Sequence, residues 1–140
     1  MNGINKLFMK ILSEKVEINT SSDKVLDFIQ IPSNIECLLP LDKISDFKSD
    51  DESCSFKVQG GITISLVNNG RTENNQLFLK SGEKSPFPFE LTIYAESNNE
   101  KTIGYIEFDG EVNAFLKMMV EKPLSALFNY MSKKLSEQFS

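Results

Sequence analysis

The C-terminal stretch, residues 113–139, constrains the fold of this chain more than any other segment. Apolar residues recur there in steps of three or four, which is the spacing of one helix face: Leu116, Val120, Leu124, Leu127, Met131 and Leu135. Further apolar residues are expected to widen that face: Phe115, Met119, Phe128 and Tyr130. Charged residues occupy the opposite side, and a helix this apolar needs a large complementary surface.

The middle of the chain can supply that surface as a sheet. Six consecutive segments show strand alternation, separated by short turns rich in glycine, asparagine and acidic residues: 43–49, 53–58, 61–72, 76–81, 87–97 and 102–112. Short turns between neighbouring strands indicate an antiparallel meander. Clean alternation gives each strand one apolar face, and only the C-terminal helix is large enough to cover these faces.

The first forty residues predict a strand and two short helices. Val16 and Ile18 alternate with polar residues in the first strand, and the helix N-caps that follow come from residues 20–23. Pro32 ends the first helix, and a second short helix runs from Ser33 to Pro40. We therefore expect an α+β domain over residues 13–140, with residues 1–12 as an N-terminal extension and the start of the first strand.

Charge and cysteine content narrow the partners and the compartment. The formal net charge is −5 and the pI about 4.8, which argues against nucleic acid and anionic membranes as partners. No apolar run reaches the ~18 residues of a membrane span, and the N-terminus lacks a signal-peptide cleavage site. Cys37 and Cys54 are expected to be reduced, packed thiols, so a cytoplasmic protein is the default.

The chain contains no histidine. This removes the commonest general base, the commonest metal ligand and every nucleophile pair that depends on histidine. The sequence therefore assigns no catalytic residue, no metal ligand and no cofactor. Catalysis would have to use a carboxylate, lysine, tyrosine or cysteine.

Several residues permit both a functional and a structural interpretation. Pro123 predicts a kinked but nearly continuous helix, because proline removes one helical hydrogen bond. Arg71, the only arginine, could bind a ligand carboxylate but is expected in a surface ion pair. The carboxylates Glu107, Asp109 and Glu111 are expected to face solvent. The loop 82–88 could act as a lid, but a rigid connection with Phe87 turned inward is favoured.

The order of elements resembles the helix-grip fold of the START and birch-pollen-allergen-like superfamily (SRPBCC), over about residues 13–139. The strand VEI (16–18) and the helix SSDKVLDFI (21–29) look like its first strand and first helix. The segment NIECLLP (34–40) looks like its second helix and exit proline, and the last helix like its gripping helix. The resemblance implies a curved antiparallel sheet of about seven strands around the long helix. Family members hold lipids, sterols, hormones or polyketides between sheet and helix, as carriers, regulators or enzymes.

A cavity between sheet and helix is accordingly the predicted ligand site. Its lining residues are expected to be Phe28, Leu38, Phe56, Ile64, Leu66, Leu79, Phe89, Leu91, Ile93, Phe108, Met119, Leu127, Phe128, Tyr130 and Met131. Tyr94 and Tyr105 are further candidate hydroxyl donors, although Tyr130 is the better one. The alternative to a cavity is a solid core.

The predicted function is non-catalytic binding or transport of a hydrophobic, lipid-like or polyketide-like small molecule by a monomer or weak dimer. Two alternatives remain open. One is a cyclase- or dehydratase-like enzyme, which needs a titratable side chain buried in the cavity. The other is a co-chaperone-like module that binds a protein partner, which needs a contiguous exposed apolar patch.

Overall fold

A computed structural model describes residues 6–73 and 75–140. Its eight strands are β1 (Leu7–Leu12), β2 (Val16–Ile18), β3 (Ile44–Ser49), β4 (Ser53–Val58), β5 (Ile62–Arg71), β6 (Gln76–Ser81), β7 (Phe89–Asn98) and β8 (Lys101–Val112). They form one antiparallel sheet in the order β1-β8-β7-β6-β5-β4-β3, and β2 also pairs with β8. The predicted meander is confirmed, because every strand from β3 to β8 pairs with the next one along the chain.

Two helices and one 3₁₀ helix complete the fold. Helix α1 (Ser22–Gln30) begins where the Ser21 side chain accepts a hydrogen bond from the Lys24 backbone N–H, as the N-cap pattern predicts. The second short helix is a 3₁₀ helix, Pro32–Leu38, which begins at the proline rather than after it. Helix α2 (Ala114–Gln138) continues through Pro123. The predicted near-continuity of the kinked C-terminal helix is therefore confirmed, and the kink itself stays a prediction.

The apolar faces of the strands point toward α2, as the alternation predicts. On β7, for example, Phe89, Leu91, Ile93 and Ala95 are buried while their neighbours lie on the outer face. The β4–β5 hairpin turns at Gly60 and Gly61, whose φ angles of 106° and 100° favour glycine. The predicted α+β helix-grip architecture is therefore confirmed.

The sheet begins earlier than the sequence predicts. Residues Leu7–Leu12 pair along their whole length with β8, from Leu7 opposite Val112 to Leu12 opposite Glu107, and Met9 is fully buried. Alternation is hard to recognise there because Phe8, on the outer face, is as apolar as Met9 on the inner one. The first strand is thus two pieces, β1 and β2, and the strand count rises from about seven to eight. Residues 1–5 lie outside the described residues.

The break between β1 and β2 anchors α2. The Ser13 hydroxyl lies 2.7 Å from the Ser132 hydroxyl of α2 and accepts a 2.8 Å hydrogen bond from the Ile106 N–H. One residue further on, the Glu14 N–H donates to the Asn129 side-chain oxygen at 2.8 Å. The Ser13 hydroxyl and the Glu14 N–H at the break therefore both have hydrogen-bond partners on α2.

Helix α2 covers the inner face with a narrower stripe than predicted. Val120, Leu124, Leu127, Phe128, Met131 and Leu135 are buried, and six such side chains contribute roughly 9–18 kcal/mol before entropy costs. Three residues expected to widen the stripe are instead exposed: Phe115 at 64%, Met119 at 46% and Tyr130 at 38%. Phe115 and Met119 lie in the first two turns, where apolar residues occur on more than one side of the helix and only one side can face the sheet. Within the described ranges, no helix is both long and apolar enough to cross a bilayer.

The two cysteines have different environments. Cys54 is buried on the inner face of β4, where desolvation raises the pKa of its thiol to about 12. Cys37, in the 3₁₀ helix, is exposed, so the expectation that both thiols are packed is wrong for Cys37. Its neighbours Ile35 and Leu38 take the buried positions of that short helix.

Adjacent substitutions in β1 test whether this strand belongs to the folded core. Met9→Ala is expected to lower the free energy of unfolding by about 2–5 kcal/mol, because Met9 is 0% exposed. Phe8→Ala is the matched control, since Phe8 is 76% exposed, and should change stability by less than about 0.5 kcal/mol. Urea denaturation followed by circular dichroism measures both. Equal, small effects would show that β1 is dispensable.

Candidate ligand-binding groove

The open space between sheet and helix is a groove of about 400 Å³ beside the middle of α2. Its walls come from the start of β3, the end of β4 and the middle of α2: Pro40, Asp42, Lys43, Ile44, Val58, Gln59, Pro123, Ala126, Leu127 and Tyr130. Ile44, Val58 and Leu127 give it an apolar base, while Asp42, Lys43 and Gln59 stand at the rim. This volume lies in the range of small-molecule sites.

Backbone hydrogen bonds fix the sheet side of the groove. The Lys43 N–H donates to the Pro40 carbonyl at 2.8 Å, and the Gln59 N–H donates to the Lys43 carbonyl at 2.8 Å. Ile44 then pairs with Val58 at the first rung of the β3–β4 ladder. The wall is therefore preformed, which lowers the entropy cost of binding.

Pro123 shapes the helix side of the groove. A proline at this position cannot donate the hydrogen bond that the Met119 carbonyl would otherwise accept. Pro123 and Ala126 form a shallow part of the groove wall on the helix surface. The buried Leu127 and the more exposed Tyr130 line the groove beside them. A bulky side chain in place of Pro123 or Ala126 would fill this space.

Only some of the residues predicted to line the ligand site lie beside the groove. Of the fifteen residues, Leu127 and Tyr130 line the groove. Twelve others belong to or pack against one continuous core: Phe28, Leu38, Phe56, Ile64, Leu66, Leu79, Phe89, Leu91, Ile93, Phe108, Phe128 and Met131. Met119 is 46% exposed and lies outside the core. Direct ligand contact by the core residues stays a prediction.

Sequence reasoning missed most of the groove walls. The sequence predicts Pro40 as the end of a short helix and Pro123 as a kink in the last one, and Ala126 is too small to stand out in an apolar stripe. Ile44 and Val58 are the innermost residues of their strand ends, and their pairing across the hairpin is the signal that could have identified them. Loop residues such as Gln59 carry no periodicity and become wall residues only through the fold.

A larger hollow, about 730 Å³, lies beside α1 but has different chemistry. Asp27, Asp50, Asp51 and Glu52 line it, so an apolar ligand would have to displace the water around several carboxylates. Asp50 accepts hydrogen bonds from the Glu52 and Ser53 backbones, which lower its pKa. The predicted solvated acidic turn is confirmed, and the smaller, apolar groove is the better ligand site.

The sole arginine fastens α1 to the sheet. Its guanidinium lies 2.7 Å from an Asp27 oxygen and 3.5 Å from Asp23, and it donates to the Gln30 side chain at 2.8 Å. The expected surface ion pair of Arg71 is confirmed. All three partners lie on one helix, so the arginine is engaged by protein groups rather than directed into the groove.

The outer face of the sheet holds the remaining polar candidates. Glu107 and Glu111 form ion pairs with Lys10 at 3.6 Å and Lys6 at 3.7 Å, and Asp109 is exposed, so these carboxylates face solvent as expected. In the loop 82–88, Phe87 is only 6% exposed and contacts the Phe89 and Phe108 rings. The inward position predicted for Phe87 is confirmed, and the rigidity of that loop stays a prediction.

Tyr94 and Tyr105 lie on the outer face and cannot reach the groove. Their rings stack with centroids 4.6 Å apart, and their hydroxyls donate to Glu107 and Glu96. Desolvation, followed by the hydrogen bond and the negative charge of Glu96, raises the pKa of Tyr105 to about 12. Desolvation and Glu107 likewise raise the pKa of Tyr94. Their candidacy as ligand donors is therefore wrong.

Comparison with solved structures gives the same architecture. Norcoclaurine synthase from Thalictrum flavum superposes with a TM-score of 0.69 at 13% identity, covering 99% of this chain and 97% of that one. The protein TTHA0849 from Thermus thermophilus gives 0.74 at 13% identity over 94% and 97%. A START superfamily protein from Mycobacterium smegmatis gives 0.63 at 13% identity over 94% and 96%.

These similarities establish the fold. No family model matches the sequence, and a search of curated proteins gives no match. The chain has the helix-grip fold of the START and birch-pollen-allergen-like superfamily, so the resemblance found in the sequence is confirmed at the level of the fold. At such low identity, function has to be argued from the chain's own residues.

The stacked tyrosines predict a measurable pH dependence. Because the folded pKa of Tyr105 is about 12 against an ordinary value of 10, the folded state holds a proton that the unfolded state loses. Stability from this tyrosine is complete below about pH 10 and is lost as the pH rises toward 12. Ultraviolet titration of tyrosinate absorbance should show a late phase that disappears in Tyr105→Phe. Titration of every tyrosine near pH 10 would contradict this.

Proposed function

We propose that this protein binds a hydrophobic small molecule in the groove between its sheet and α2, without chemically changing it. The observation that carries the proposal is the apolar base of the groove, formed by Ile44, Val58 and Leu127, beneath a polar rim. Apolar burial would supply most of the binding free energy, at about 25 cal/mol per Å². The rim would orient the ligand.

The groove suits a ligand with one apolar body and a small polar end. At about 400 Å³ and open along one side, it accommodates a lipid-like or polyketide-like molecule that leaves an edge in water. Gln59 and the Tyr130 hydroxyl can donate hydrogen bonds to a polar end, and Lys43 can pair with an anionic one. These groups supply orientation, and the apolar base supplies affinity.

The placement of titratable groups supports binding over catalysis. Asp42 and Lys43 are exposed at the groove rim, so neither is desolvated as a tuned general acid or base usually is. Within the described chain, the buried polar side chains are the hydroxyls of Ser13, Ser22, Ser65, Thr102 and Ser132. A cyclase- or dehydratase-like reaction would need a buried titratable side chain, and the described residues of the groove do not supply one.

We also propose that the protein acts in the cytoplasm. Two cysteines with free thiols, one of them exposed, suit a reducing compartment better than an oxidising one. A ligand carrier in that compartment would serve to hold a poorly soluble molecule out of water.

A second candidate function is docking of a protein partner on the start of α2. Phe115 and Met118 are 64% and 78% exposed, and with Met119 they form an apolar surface over about one helical turn. A surface of this kind is a common feature of interaction modules. Analytical ultracentrifugation and pull-down experiments with the Met118→Glu variant would test this candidate separately from ligand binding.

Ala126→Trp is the sharpest test of the groove. Ala126 is an exposed groove residue, so an indole there should fill the space without disturbing the core. Affinity for a fluorescent fatty acid is expected to fall at least about tenfold, or ~1.4 kcal/mol, while the melting temperature stays nearly unchanged. The chain has no tryptophan of its own, so the new side chain also reports groove occupancy by its fluorescence.

Met118→Trp provides the matched control. Met118 lies on the same helix, is 78% exposed and does not line the groove, so this variant should bind like the wild type. Native mass spectrometry of protein purified from cells gives an independent measurement, because a bound apolar molecule adds a discrete mass. Unaltered binding in Ala126→Trp, or no apolar ligand in either measurement, would reject the proposal.

A further inference from the structure

The outer face of the sheet carries a second concave feature, on the side opposite the groove. This hollow, of about 170 Å³, is lined by Asp46, Lys48, Ser55, Phe56, Lys57, Thr63 and Lys84. A second hollow of about 300 Å³ adjoins it and shares Lys48, Ser55 and Lys84. We call the set Lys48, Lys57, Lys84, Ser55 and Thr63 the lysine hollow.

Strand pairing brings these residues together. Lys57 on β4 lies opposite Thr63 on β5, and Ser55 lies two residues from Lys57 on the same face. Lys48 on β3 lies opposite Ser55 from the other side. Lys84 enters from the loop between β6 and β7. Four separate segments thus contribute three lysines and two hydroxyl side chains to one hollow.

A β-bulge is what brings Lys48 into this set. The register shifts by one residue between Ser45 and Lys48, and Asp46 there takes the left-handed φ of 56°. Without the shift, Lys48 would lie opposite Cys54 and point into the core, because successive side chains alternate between faces. With it, Phe47 points inward onto Phe56 and Lys48 joins Lys57 outside.

The charges and hydroxyls of the hollow lack protein partners. Among residues 6–73 and 75–140, no carboxylate lies within ion-pair distance of Lys48, Lys57 or Lys84, whereas Arg71 and several other lysines are paired. The Ser55 and Thr63 hydroxyls form no hydrogen bond within the same ranges. With Asp46 included, the lining carries a formal charge of +2 in a chain of net charge −5. Three lysines that share a hollow without an ion-paired carboxylate favour binding of an anion.

We propose that the lysine hollow binds a phosphate-type oxyanion, independently of the apolar groove. A phosphate has several oxygens that can accept hydrogen bonds. The hollow offers three lysine side chains and two hydroxyls as donors, contributed by four segments. Asp50 and Glu83 line only the adjoining hollow, where they offset part of the positive charge. Among the described residues, neither carboxylate lies within ion-pair distance of Lys48, Lys57 or Lys84. The phosphate could be free, on a small monoester or on a phospholipid.

Amide NMR titration with inorganic phosphate, at constant ionic strength, tests the proposal directly. Saturable shifts are expected at Lys48, Ser55, Lys57 and Thr63. Each single change Lys48→Gln, Lys57→Gln or Lys84→Gln should weaken binding about two- to fivefold, as expected for one exposed charge contact. The triple variant should abolish saturation. The single variants keep the test valid if the triple variant folds poorly.

A charge-matched control separates a site from general attraction. The triple variant Lys24→Gln, Lys122→Gln, Lys133→Gln removes three exposed lysines outside the hollow and should bind phosphate like the wild type. Equal loss in both triple variants, or shifts that never saturate and spread over the surface, would overturn the proposal.

Two further arms identify the source of the phosphate. In the first arm, glycerol phosphate reproduces the amide shifts and the protein does not bind vesicles of phosphatidic acid and phosphatidylcholine. This result would identify a soluble phosphate compound. Vesicle binding that the Lys48, Lys57, Lys84 variant abolishes, and that pure phosphatidylcholine vesicles do not show, would identify a phospholipid headgroup. Both outcomes support the site, and the apolar groove can be tested without reference to either.

Discussion

The fold depends on burying one face of α2 against the inner face of the sheet. The sheet is a meander, so its strands pair with their chain neighbours and leave one continuous apolar surface that strand pairing cannot cover. Among the described elements, only helix α2 is long enough to cover it. Its buried residues from Val120 to Leu135 lie in the same core cluster as the inner faces of β4 to β8. Removing this contact would expose most of the core at once.

Polar groups, rather than apolar ones, fix where α2 lies along the sheet. Apolar burial is non-directional, and it would allow α2 to slide or rotate on the sheet. The break between β1 and β2 limits this freedom, since the Ser13 hydroxyl and the Glu14 N–H are hydrogen-bonded to Ser132 and Asn129 of α2. Once the C-terminal half of α2 is fixed there, the segment around Pro123 has to stand beside the start of β3. The groove is the space that remains between them.

The sequence predicted those features that depend on periodicity. The bounds of β4 and β6 were correct to the residue, and the inner faces of β7 and β8 followed from alternation alone. Strand β1 was missed because Leu7, Phe8 and Leu12 are apolar and exposed, which hides the period of two. The groove could not be predicted as a set, because Pro40, Gln59 and Ala126 meet only through tertiary packing. The core residues predicted to line a cavity do face inward. Alternation along the sequence cannot distinguish a filled interior from an open one.

A single irregularity in β3 links the inner and outer surfaces of the sheet. The strand has to place both Ile44 and Phe47 inward, the first at the groove and the second against Phe56. Two residues lie between them, and a regular strand would put residues at this spacing on opposite faces. The bulge at Ser45 and Asp46 resolves this conflict at the expense of one left-handed aspartate. The same shift turns Lys48 outward beside Ser55, so the residue pattern that builds the apolar groove also builds the lysine hollow on the other side.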